Sequence, residues 1–193
     1  SRAWVRNPID RFITAEHASR GLTHQTPAPP EVLLRRVYLD LTGLSPSPDV
    51  IRKFIKESKT NSNAYADVVA RLLDDPAYGE RWGRHWMDVW RYSDWAGYKA
   101  SLRDSQRHIW HWRDWIIESL NADKPYDRML VEMLAADELA PEDADAVRAT
   151  GFLARNYFHE RNQWMDNVVK HTSQGFLGIT VDCAKCHDHM YDP

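Results

Sequence analysis

Apolar side chains recur along this chain at intervals of three and four, the spacing that gathers them on one face of a helix. Val32, Leu33, Val37 and Leu41, with Leu34 and Tyr38 beside them, predict one helix closed near Gly43, and Tyr65, Val68, Val69, Leu72 and Leu73 predict another over 64–73. Further helices are predicted over 76–95, 107–121, 125–136 and 164–176. Prolines punctuate the pattern at Asn7-Pro8, Pro30-Glu31, Ser47-Pro48, Asp75-Pro76 and Lys124-Pro125. Each stands where a first helical turn has no use for the missing N–H, several directly behind a capping side chain. The short segment 9–17 is expected to pack on the same core. Convincing alternating strands are absent, and 178–182 (Gly-Ile-Thr-Val-Asp) holds the only β-branched run. Residues 96–106 and 137–145, poor in apolar side chains, are expected to form surface loops. With no internal repeat or low-complexity linker, the fold class is mainly α: a single multi-helix domain over 1–193 built on one core.

Composition changes this picture little. Apolar residues at 43% and charged residues at 27% suit a soluble globular protein and exclude wholesale disorder. A net charge of −3 from 25 basic and 28 acidic residues carries no polyelectrolyte footprint, so no nucleic-acid partner is expected. No apolar run approaches the ~18 residues of a membrane helix, so no membrane span is expected in this chain. The start, Ser1-Arg2-Ala3-Trp4, lacks both a methionine and a signal peptide and reads as processed or engineered. The nine tryptophans do stand out. Trp82, Trp86, Trp90 and Trp95 form one group, Trp110, Trp112 and Trp115 a second, and Trp164 lies near the cysteines. Such rings can wall a planar cofactor, but a large aromatic core is the more common use.

The two cysteines carry the chemistry. They stand in Cys183-Ala184-Lys185-Cys186-His187, and C-x-x-C-H is the attachment signature of c-type haem. Thiols three positions apart can form thioethers to the two vinyl groups of one porphyrin, and the histidine that follows supplies a nitrogen to the iron. One covalent haem c is therefore expected near the C-terminus, attached through Cys183 and Cys186 with His187 as axial ligand. Three alternatives remain. A structural zinc on Cys183, Cys186, His187 and His189 would crowd a tetrahedron into one short segment. A thioredoxin-like redox pair would need a βαβ setting. A plain disulfide, or two unmodified thiols, is the third. Thioether attachment takes place outside the bacterial cytoplasmic membrane, so haem also implies a periplasmic or otherwise exported location.

A second iron ligand must come from upstream of the motif or be absent. His171 shares a helical stripe with Trp164 and Val168, and His85 shares a face with Trp82, Trp86 and Val89. These two are the candidate distal ligands, although for each a core histidine satisfied by a hydrogen bond is the more common use. His108, His111 and His159 are weaker candidates, and His189 and Met190 follow His187 too closely to reach the far face. Arg81, Arg84 and Arg91 are candidate partners for haem propionates. No hydrolytic triad or phosphate loop is found, and acidic pairs such as Asp74-Asp75 or Asp143 and Asp145 read as solvated.

Five further stretches extend the motif into a pattern: LLRRVYLDLTGL over 33–44, YGERWGRHWMDV over 78–89, WRDWI over 112–116, PYD over 125–127, and FLGIT over 176–180 leading to CAKCHDH over 183–189. Together they make the chain resemble, nearly end to end, the second planctomycete-type cytochrome c domain, a family long catalogued as a domain of unknown function. The resemblance implies a planctomycete-like source and a place within a larger secreted polypeptide, often between another cytochrome-like domain and a further uncharacterised one. It implies no reaction. Met190 departs from the family, which commonly has lysine after His-Asp-His. The expected function is that of a monohaem cytochrome domain transferring electrons within a larger exported protein, to a redox partner protein or a neighbouring cytochrome domain. A haem enzyme or gas-binding sensor with an open sixth position is one alternative; a zinc- or haem-stapled interaction module is the other.

Overall fold

Four helices begin on a proline and a fifth directly behind one, as the punctuation predicts. The computed structural model describes residues 4–96, 104–155, 161–188 and 191. Ten α-helices lie among them: α1 Pro8–Ser19, α2 Pro30–Thr42, α3 Pro48–Glu57, α4 Ala64–Leu73, α5 Pro76–Val89, α6 Trp110–Asn121, α7 Tyr126–Leu139, α8 Ala144–Val147, α9 Gly151–Ala154 and α10 Arg161–Thr172. Asn7 and Asp10 form a reciprocal capping box on α1, and Asp75 accepts from the Ala77 N–H to start α5. Gly43 ends α2 in the left-handed region at φ 72°, where only glycine avoids a steric cost.

The apolar residues form two clusters rather than one core. Leu34, Val37, Phe54, Ala64, Val68 and Leu72 join α2, α3 and α4. Trp90, Trp112, Trp115, Ile116, Met129, Met133 and Phe152 join the elements from the end of α5 to α9. Helix α5 packs on both α2 and α6 and so connects them. Its approach to α6 is close because Gly79 and Gly83 are buried at the crossing; a Cβ on Gly79 would lie 2.6 Å from the Ile117 carbonyl oxygen. Tryptophan is divided between core and surface: Trp90, Trp112 and Trp115 are fully buried, while Trp4, Trp82, Trp95 and Trp110 are exposed.

Several expectations need correction. Helix α1 does not join the core: it buries no residue, and Ile9 and Phe12 are 68% and 78% exposed. Helix α5 stops at Val89 rather than near Trp95, because Arg91 adopts φ 60° and the Tyr92 N–H turns back to the Met87 carbonyl at 2.9 Å. That left-handed stop uses arginine where glycine is usual, so the sequence carries no sign of it. Residues 107–109 form a turn before α6, which begins at Trp110. The acidic stretch 137–145 is mostly helical. Helix α7 resumes after a kink at Ala135 and runs to Leu139, and Asp143 caps α8 by accepting from the Asp145 and Ala146 N–H groups. Within 96–106, Trp95–Ala96 and Asp104–Ser105 pair antiparallel; residues 97–103 lie outside the described residues. Residues 178–181 form neither strand nor helix.

Candidate functional site

Helix α10 continues as a π-helix over Ser173–Leu177, ends at Gly178 with φ 67°, and leads through a short irregular segment to a 3-10 turn at Cys183–Lys185. Two ion pairs tie that turn to α10: Lys170 Nζ lies 2.6 Å from Asp182 Oδ2, and Lys185 pairs with Asp166. Inside the turn the Cys186 and His187 N–H groups donate to the Cys183 carbonyl at 3.2 and 3.3 Å. Residues i and i+3 of a 3-10 turn lie one above the other. Cys183 and Cys186 thus share one side of a single turn, both exposed and both free thiols.

His187 is also exposed, and its Nδ1 lies 2.8 Å from the Asp188 carbonyl oxygen. A carbonyl can only accept, so Nδ1 donates here, and in the neutral imidazole the lone pair is then on Nε2. This is how a neighbouring oxygen orients a metal-binding imidazole. Two thiols on one side of a turn and an adjacent histidine with a free nitrogen fit a covalently attached haem. Among the described residues no three His, Cys, Asp or Glu side chains converge on a metal-sized site. His189, the fourth ligand of the zinc alternative, and Met190 lie outside the described residues, as does His159.

The two upstream histidines differ sharply. His85 is exposed, its ring tilted against Trp82 at 5.4 Å between centroids. His171 is half-buried, and its Nδ1 is buried without a hydrogen-bond partner. Burial, reinforced by the charges of Arg155, Arg91 and Lys170, pushes its pKa down to about 4, so its imidazole is neutral at ordinary pH. His108 and His111 instead line a cleft of about 670 Å³ with Trp112, Arg148 and Gly151. Arg81, Arg84 and Arg91 are all exposed.

The composition of the buried polar groups adds a residue that sequence reasoning missed. Arg155, just past α9, is 5% exposed, and neither Nη1 nor Nη2 has a hydrogen-bond partner. Its guanidinium lies over the Phe152 ring at 4.5 Å and near the Trp112 ring at 5.7 Å. Burial, with the charge of Arg91, pulls its pKa down to about 9. A buried, unpaired charge costs on the order of 3 to 5 kcal/mol, which makes such a group a marker of something that binds there. The available signal is an arginine closing the apolar run Gly151-Phe152-Leu153-Ala154, four positions after the glycine and three after the phenylalanine.

No curated protein and no solved structure is significantly similar to this chain. A family model does match, over residues 8–193: it is named PSCyt2 and described as a protein of unknown function, DUF1549. With nearly all of its length covered, the chain belongs to the PSCyt2 family.

Proposed function

We propose that this chain holds one c-type haem, bonded through Cys183 and Cys186 and ligated at the iron by His187 Nε2, and that it transfers electrons within a larger exported polypeptide. The observation that carries the proposal is the Cys183–Lys185 turn, with two free thiols on one side and an imidazole whose Nδ1 is committed to the Asp188 carbonyl. A bound haem would supply a reversible one-electron change at iron. The chain's own residues would hold and orient it: the Lys170–Asp182 and Lys185–Asp166 pairs fix the turn on α10, and Asp188 sets the His187 tautomer. The exposure of all three motif side chains favours electron exchange with a partner at the surface, either a redox protein or a neighbouring cytochrome domain. Export, to the periplasm or beyond, follows from where such thioethers are made.

His171 is the better second ligand of the two candidates, because it is neutral, half-buried and unpartnered at Nδ1, whereas His85 is solvated. Carbon monoxide tests this. The ferrous wild-type protein is expected to show no spectral change, and His171→Ala is expected to gain one, with His85→Ala behaving like wild type. A strong carbon monoxide spectrum in the wild type would instead support the haem enzyme or gas sensor, with its open sixth position.

A further inference from the structure

Several arginines elsewhere in this fold pair with carboxylates. Arg148 pairs with Glu118 and Asp145, Arg128 with Glu132, and Arg113 with Asp114. Arg155 is more buried than any of these and has none; the charges acting on it and on His171 are those of Arg91 and Lys170. Among the described residues, the one acidic group that acts on His171 is Asp182, already bonded to Lys170. The indole N–H of Trp112, whose ring lies 5.7 Å from the guanidinium, is likewise buried without an acceptor. Phe176, on the segment after α10, lies tilted against Phe152 at 5.0 Å between centroids, and the guanidinium lies over that Phe152 ring. Among the described residues, therefore, no acceptor meets the Arg155 guanidinium, and the charge that acts on it is a second cation, Arg91. A guanidinium fork with both Nη atoms free matches the two oxygens of a carboxylate.

From this arrangement we infer that Arg155, assisted by Arg91, is a buried carboxylate-binding site, and that the carboxylate is a propionate of the haem held by Cys183 and Cys186. The inference rests on the haem reading. The link between the two places is the chain itself: α10 carries His171 toward Arg155, and its Lys170 fixes Asp182 beside Cys183. A group tethered at Cys183 reaches a nearby guanidinium at an effective concentration that no free anion matches.

The test uses haem-loaded wild-type protein, Arg155→Gln, Arg155→Lys and Arg91→Gln, with haem content and far-UV circular dichroism measured on each. The readout is the midpoint potential as a function of pH. In the wild type the paired propionate stays ionised, and the potential is flat between about pH 5 and 8. In Arg155→Gln the propionate should titrate about 1 to 3 pH units higher, which introduces a pH-dependent step into that window. Arg155→Lys should restore part of the flat profile. Arg91→Gln, at an exposed position, should give a smaller step and serves if Arg155→Gln does not fold. Unchanged profiles in haem-bearing Arg155→Gln and Arg91→Gln overturn the inference while leaving the haem reading intact; a wild type without haem overturns the reading itself. Thermal melts of the Cys183→Ala, Cys186→Ala protein with acetate or inorganic phosphate separate the sources. Arg155-dependent stabilisation there, together with unchanged potential profiles, would assign the site to a free anion and overturn the propionate.

Discussion

Glu132 and Arg155 show two ways of burying a charge. Glu132 is 6% exposed but receives Lys124 Nζ at 2.6 Å and Arg128 Nε at 2.7 Å. Burial alone would raise its carboxyl; the two bonded cations outweigh that and hold it below the usual carboxylate range. A lowered folded pKa contributes stability above the ordinary glutamate value of about 4.3, lost as pH falls through the folded value. Glu132→Gln should therefore lose about 1 to 3 kcal/mol in urea unfolding at neutral pH. The gap from wild type should close in acid; a constant gap at all pH values would show that packing, not charge, holds this site. Among the described residues Arg155 has no such partners, and the apolar run before it is only a weak sign of that. Pairing depends on what the fold brings near, which is why Arg155 escaped a reading that nominated Cys183, Cys186 and His187 from spacing alone.

Elements were more legible than their ends. The three-four periodicity and the prolines identified α2, α4, α5, α6, α7 and α10, because burial of one face dominates a helix of three turns. The stop of α5 at Arg91 and the cap of α8 by Asp143 were hidden, since each uses a residue common in other settings. The crossing of α5 and α6 depends on a missing side chain. The Gly79 N–H donates to Asn121 Oδ1 at 2.8 Å, and a Cβ there would meet Asn121 and the Ile117 carbonyl at 2.6 Å. Gly79→Ala is expected to cost about 1 to 3 kcal/mol, since backbone must move to admit it. Gly175→Ala, whose Cβ would meet Trp90 at an ordinary 3.5 Å, should stay within about 0.5 kcal/mol of wild type. Equal denaturation midpoints for the two variants would contradict the crossing described.

At the scale of the whole molecule, two apolar clusters joined by α5 form a mainly helical frame, and the C-terminal turn is fastened to α10 by ion pairs. Membership of the PSCyt2 family agrees with the chemistry of that turn without naming a reaction. The sequence pointed to one core, because the apolar periodicity of α2 and α4 and the tryptophans of α5 and α6 do not show which faces meet; packing divides them into two clusters. The central claim is the covalent haem, and its most direct test is the intact mass of the chain expressed in a host that attaches c-type haem, with the alkaline pyridine spectrum of the same sample. One haem per chain is expected, retained on denaturation and lost in the Cys183→Ala, Cys186→Ala variant. An unmodified mass and a colourless wild-type protein would contradict the account.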